Sequence, residues 1–136
     1  IDQITPLYTA HSERTRIKPE RMRKILISAM KQSLKYTLPL LDPALTFAEL
    51  TDKPFDGQKF IAYCETGAEE SLITQYKKGS DVLILIGPEG DFSPEEVALA
   101  IRKDFIPVNL GEARLRTETA GVVACHTIHL MNHLVR

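Results

Sequence analysis

Val82-Leu83-Ile84-Leu85-Ile86-Gly87-Pro88-Glu89-Gly90-Asp91-Phe92-Ser93-Pro94-Glu95-Glu96 is the run that decides how this chain is read. Five apolar residues, β-branched or Leu, open it. Such a run reads as a strand covered on both faces, as in parallel sheets. Gly-Pro-Glu-Gly then breaks it, with two glycines that allow a sharp turn and close approach of a ligand. Ser93-Pro94-Glu95-Glu96 carries the marks of a helix start: an N-cap Ser, Pro at the first position and Glu closing a capping box. The grammar is strand, tight loop, helix. In open α/β sheets, ligands bind beyond the carboxyl ends of strands.

A second stretch repeats the pattern. Val108-Asn109-Leu110-Gly111-Glu112-Ala113-Arg114-Leu115-Arg116-Thr117-Glu118-Thr119 leaves one apolar strand and enters a helix. The two loops are expected to form one pocket. The four carboxylates Glu89, Asp91, Glu95 and Glu96 make its first corner acidic, which suits a neutral or cationic ligand better than a phosphate.

Outward from these loops, the chain alternates. Ile4–Tyr8 reads as a strand and His11–Lys18 as a polar loop. Pro19 starts a helix that Pro39 ends, with Met22, Ile25, Leu26, Ala29, Met30 and Ser33 forming an apolar stripe. Leu40–Pro54 is irregular, with Thr46-Phe47-Ala48-Glu49 able to cap one helical turn. Lys59–Cys64 reads as a strand and Glu69–Lys78 as a short helix. After Val82–Ile86 and a helix from Pro94 to about Lys103, Phe105–Leu110 is the next strand. Pro107 marks that strand as an edge or a kink. The final helix, Glu118–Arg136, is apolar around nearly its whole circumference, so both sides need cover. A small sheet covers one side; a second subunit is expected on the other. This order gives an α/β domain with a mostly parallel sheet and helices on both faces.

Composition limits the alternatives. The 136 residues suffice for one domain, and 43% apolar with 26% charged residues is ordinary for a soluble globular chain. No apolar run approaches the ~20 residues of a membrane span, and no signal peptide opens the chain. Cys64 and Cys125 sit in apolar segments and read as buried thiols of a cytoplasmic protein rather than as a disulfide. Net charge is −1 but uneven: residues 1–36 hold eight Lys/Arg against three Asp/Glu, the remainder nine against fifteen. The basic segment is either a solvated helix face or a phosphate-attracting patch.

Other candidate chemistry is thinner. His126, His129 and His133 align at i, i+3, i+7 on the last helix, but nothing there completes a ligand set, so no metal is expected. They read as residues of an interface or rim. No Ser-His-Asp or Cys-His arrangement is evident. Arg114, Arg116 and Glu118 either close the second loop by ion pairing or hold a substrate anion and orient a cofactor.

Taken together, Leu85-Ile86-Gly87-Pro88-Glu89-Gly90 and Leu110-Gly111-x-x-x-Leu115-Arg116-Thr117-Glu118-Thr119-Ala120 resemble the ribosomal RNA small subunit methyltransferase E family, within the SPOUT superfamily. The Ala29-Met30-Lys31-Gln32-Ser33 segment before Leu38-Pro39 is similar to that family's A-x-Q-S helix. The resemblance covers most of residues 5–135. It implies a fold whose C-terminal part forms a deep trefoil knot. It also implies S-adenosylmethionine as methyl donor, a homodimer through the last helix, and methylation of uridine N3 in 16S ribosomal RNA. By this similarity Ile86, Gly87, Pro88, Gly90, Leu110, Gly111, Leu115, Arg116 and Thr119 would wrap the cofactor. Arg116 is then the expected essential polar group, stabilising charge on the uracil oxygens, with Glu89 or Glu118 as base.

Some positions depart from the family pattern. Asp91 stands where a second glycine is common, and Lys31 and Lys35 replace residues that are often Glu and Arg. Family members also carry an N-terminal barrel-like RNA-binding domain. The chain is therefore expected to be a single methyltransferase domain, residues 1–136, without that module and without the first strand and helix of the fold. Two other functions share these features: a SPOUT enzyme acting on another base or a ribose, and a non-catalytic RNA-binding module.

Overall fold

The computed structural model describes residues 1–12, 17–63 and 70–134. In chain order the elements are β1 (Gln3–Ile4), β2 (Leu7–Tyr8), α1 (Pro19–Gln32), β3 (Leu40–Leu41), β4 (Leu45–Thr46), α2 (Phe47–Asp52), β5 (Gln58–Ala62), α3 (Leu72–Gln75), β6 (Val82–Ile86), α4 (Pro94–Arg102), β7 (Ile106–Val108) and α5 (Thr117–His133). The central sheet is parallel, in the order β6-β5-β7. Its register sets Ala62 opposite both Ile86 and Val108. Two small parallel pairs, β1 with β3 and β2 with β4, lie outside it.

Alternation along the sheet makes two cores. Ile61 and Leu85 face one side, where Phe47 and Leu50 of α2, Phe92, Val97 and Ala100 of α4, and Phe105 close over them. Phe60 and Val108 face the other, against Leu72, Tyr76 and Ala124 of α5, with Ile84 and Ile86 beside them. Helices therefore cover both faces, as the element order predicts. Phe60, Ile61 and Val108 are fully buried, each contributing roughly 1.5–3 kcal/mol by leaving water. Phe47 and Phe92 add a tilted ring pair at 5.5 Å.

The local helix signals hold. Ser93 caps α4 and Thr46 caps α2, each in a full capping box with the Glu three residues on. Pro107 lies in β7, an edge strand of the three.

Other expectations need correction. Ile4–Tyr8 is two short strands rather than one. Pro6 lacks an N–H, and its carbonyl accepts from the Leu45 amide at 3.0 Å, so the chain changes partner there. Val82–Ile86 is covered on both faces, Leu83 and Leu85 on one and Val82, Ile84 and Ile86 on the other, but β6 lies at a sheet edge with only Leu85 buried, whereas β5 takes the centre. An apolar run signals burial without saying which strand has two neighbours. Helix α1 stops at Gln32, well before Pro39. Leu34 enters the left-handed region (φ 57°), and the Lys35 amide bonds back to the Met30 carbonyl at 3.0 Å, closing a Schellman turn. No side chain of α1 is buried.

Along α5, Ala124 is buried while Val122, Leu130 and Leu134 stand exposed. Cys125 is a free, exposed cysteine instead of a buried one. Desolvation by its neighbours nevertheless holds its thiol above the ordinary pKa. Cys64 and Glu69, at the ends of an expected strand and helix, lie outside the described residues, as do Val135 and Arg136 at the end of the last helix. No helix among the described residues is long and apolar enough to cross a membrane.

Candidate functional site

Parallel strands deliver their carboxyl ends to one edge of a sheet. The loops after β6 and β7 therefore emerge on the same side, with the end of β5, Ala62 and Tyr63, between them. One cavity of about 140 Å³ forms there. Ile86, Gly87, Pro88, Glu89 and Asp91 line it from the first loop. Val108, Asn109, Leu110, Gly111, Glu112, Ala113, Arg114, Leu115 and Thr117 line it from the second, and Ala120 from α5. The loops are tied directly: the Thr117 hydroxyl donates to the Gly87 carbonyl at 2.8 Å.

Within the first loop the glycines serve a different purpose from the one the sequence suggests. Neither Gly87 nor Gly90 has a positive φ; Asp91 does, at 61°. Its amide closes a turn onto the Pro88 carbonyl at 2.8 Å, and its own carboxylate accepts from the Phe92 amide at 2.8 Å. Asp tolerates this conformation because a short polar side chain can bond the local backbone. Asp91 is buried on the cavity wall, with its carboxylate bonded to the loop's own backbone. The glycines are small because neighbours crowd them. A Cβ on Gly87 would meet the Phe92 ring at 3.1 Å, and one on Gly90 would meet Cβ of His11 at 3.0 Å. His11 Nδ1 donates to the Gly90 carbonyl at 2.9 Å and lies 3.0 Å from that of Asp91. The segment after β2 thus braces the loop from outside.

In the second loop Gly111 does need its freedom, with φ at 133° and open space around it. The Asn109 side chain accepts from the Gly111 amide at 3.2 Å. The backbone of Asn109 also accepts from the Leu72 amide and donates to Glu70, anchoring the loop to α3.

Of the residues singled out from sequence, Ile86, Gly87, Pro88, Glu89, Leu110, Gly111 and Leu115 reach the cavity wall. Gly90, Arg116, Glu118 and Thr119 are not on it. Arg116 is the exposed N-cap position of α5, and Glu118 sits exposed in the first turn. The arginine on the cavity wall is Arg114. Thr117, Ala62 and Tyr63 were missed as pocket residues. Ala62 and Tyr63 follow from the parallel order, since the strand between two loop-bearing strands ends at the same edge.

The donor set suits a cation with a flat apolar part. Ala62 and Val108 are buried and Ile86, Leu110 and Leu115 half-buried, while Glu89, Glu112 and Arg114 are exposed. Apolar walls with carboxylates at the surface favour a sulfonium over a polyphosphate. The three histidines of α5 stack in a row, with ring centroids 6.2 and 4.2 Å apart. Among the described residues, no three His, Cys, Asp or Glu are placed to hold a metal ion.

These features define an α/β domain whose parallel sheet carries a ligand cavity between two carboxyl-end loops. The chain belongs to the RNA methyltransferase domain family, which it matches over residues 1–129. The Ribosomal RNA small subunit methyltransferase E of Synechocystis sp. is 34% identical over 135 residues, covering 93% of this chain and 44% of the relative. The crystal structure of a probable rRNA-methyltransferase from Porphyromonas gingivalis superposes with a TM-score of 0.88 at 47% identity, over 97% of this chain and 57% of that one. A Ribosomal RNA small subunit methyltransferase E from Neisseria gonorrhoeae, solved bound to S-adenosyl methionine, gives a TM-score of 0.78 at 28% identity, over 96% of this chain and 54% of that one. The chain spans about half the length of the curated relatives it matches.

Proposed function

We propose that this domain takes part in S-adenosylmethionine-dependent methylation of uridine N3 in 16S ribosomal RNA. The observation that carries the reading is the single cavity built by both loops and fastened by Thr117 on Gly87. Relatives named for small-subunit ribosomal RNA methylation, and one solved with S-adenosyl methionine, support it.

When bound, S-adenosylmethionine supplies a methyl group on a sulfonium leaving group. Ile86, Leu110 and Leu115 would enclose the adenosine, with Gly87, Pro88 and Gly111 letting main chain approach it. Gly90, Arg116 and Thr119 complete the proposed wall once RNA closes over the mouth. Positioning supplies much of the rate for in-line transfer. Uracil N3 carries a proton that must leave as the N–C bond forms. Glu89, exposed on the cavity wall, is the first candidate to accept it, and Glu118 the second. Arg116 would turn inward to stabilise negative charge on the uracil oxygens.

Three further readings accompany this one. The C-terminal segment threads as a trefoil knot, two copies pair through the outer face of α5, and the protein works in the cytoplasm. The exposed Val122, Leu130 and Leu134 support the pairing, which sedimentation would test: a species of one chain only contradicts it.

The deciding experiment is methyl mapping. Small subunits from cells lacking the gene are incubated with the protein and labelled S-adenosylmethionine, and the digested 16S RNA is analysed for N3-methyluridine. Label in that nucleoside is expected. Label in a ribose or another base, or none, rejects the assignment. Arg116→Ala is expected to lower turnover by ~100-fold or more.

A further inference from the structure

We propose that the outward face of α1, formed by Arg21, Lys24 and Lys31, docks the phosphate backbone of the substrate RNA. The inference rests on the reading that the substrate is RNA. Separations of three and seven residues put these side chains on one face of the helix, spread over about 15 Å of its axis. All three are exposed, and among the described residues none makes a salt bridge. Glu20 is the lone acid of the helix.

The opposite face explains the orientation. Met22, Leu26 and Met30 follow at i, i+4, i+8 and are half-buried. These half-buried side chains and the exposed cations thus occupy different sides of the helix, with the cations in water. Unpaired cations held on one rigid face raise the local potential and gain by displacing counterions from a polyanion. Lys18 and Lys35, both exposed, extend the field past each end of the helix. Tyr36, fully exposed beside Lys35, offers a ring for stacking an unpaired base.

The surface is also tethered to the cavity. His11 contacts Gly90 and Asp91 and stands eight positions before Pro19. A fully extended chain of that length bounds their separation at about 28 Å. One RNA strand can therefore meet both sites. An anionic membrane is the weaker partner: an interfacial helix offers lipid a continuous exposed apolar face, whereas Met22, Leu26 and Met30 are half-buried.

The test is the salt dependence of RNA binding, read by fluorescence anisotropy on a labelled fragment of 16S RNA between about 50 and 200 mM salt. The triple variant Arg21→Gln/Lys24→Gln/Lys31→Gln is expected to flatten the log Kd–log salt slope by ~2 and weaken binding at least tenfold at mid-range salt. Its thermal unfolding should match wild type. Arg102→Gln, an exposed cation at the end of α4, should leave the slope unchanged. An unaltered slope in the triple variant overturns the proposal. So does a wild-type chain that ignores RNA yet binds phosphatidylserine-containing vesicles. Calorimetry with S-adenosylmethionine separates the two readings. Lost cofactor heat with a flattened RNA slope rejects the methyltransferase assignment alone. Retained heat with an unaltered slope rejects the docking surface alone.

Discussion

Thr117 and Gly87, thirty residues apart, are joined by a hydrogen bond of 2.8 Å from the threonine hydroxyl to the glycine carbonyl. Thr117 opens α5 and Gly87 begins the first loop directly after β6, so this bond fixes the spacing of the two cavity walls. Thr117→Val keeps the shape and removes the donor, leaving a half-buried carbonyl unpaired at about 1–3 kcal/mol. Titration calorimetry should show S-adenosylmethionine affinity falling roughly tenfold. Thr117→Ser should restore most of it. Equal affinity in the valine variant would mean the bond does not set the cavity.

Gly87 has no spare room on its open side. An added methyl group would meet the Phe92 ring at 3.1 Å, and that ring is buried against Phe47. Gly87→Ala should therefore cost ~1–3 kcal/mol in denaturant unfolding, as overpacking does. The paired change Gly87→Ala with Phe92→Leu should recover part of the loss. An alanine variant as stable as wild type would mean that the ring gives way freely.

Leu34 holds a φ of 57° while 82% exposed, a backbone strain with almost no burial in return. Leu34→Gly should stabilise the domain by about 0.5–1 kcal/mol, seen as a rise in melting temperature of a few degrees. A lower melting temperature would indicate that the leucine side chain is covered in solution.

Asp42 links two segments that share no helix. Its carboxylate accepts from the Thr5 hydroxyl and, at 2.6 Å, from the Gln3 amide group. The Thr5 bond chiefly holds its pKa below 3.8, helped by Gln3 and by Lys53, against some desolvation. A carboxylate with a depressed folded pKa contributes stability that is full above the unfolded value and lost as pH falls through the folded one. Unfolding free energy should thus decline below about pH 4. Asp42→Asn should flatten that part of the profile. A profile identical to wild type would assign the acid response to other groups.

What the sequence disclosed was what neighbours in the chain decide. The caps Thr46–Glu49 and Ser93–Glu96 lie within one turn, so their residues announce them. Two loops of similar grammar after apolar strands pointed to one pocket, because parallel strands share an edge. Features set by distant partners stayed hidden. Nothing near Val82–Ile86 tells that β5, and not β6, has neighbours on both sides. Gly90 owes its size to His11, which stands 79 residues before it. Arg114 and Arg116 look alike in sequence, and only the path of the loop puts Arg114 on the cavity wall and leaves Arg116 at the helix cap.

The two-loop cavity can be tested at the level of single backbone groups by following amide resonances in nitrogen-15 spectra as S-adenosylmethionine is added. Gly87 and Glu89 of the first loop should shift together with Leu110, Gly111 and Leu115 of the second, along one saturating curve, while amides of α1 stay in place. Silence at both loops with ligand at about 1 mM, or shifts confined to one of them, would contradict a shared site.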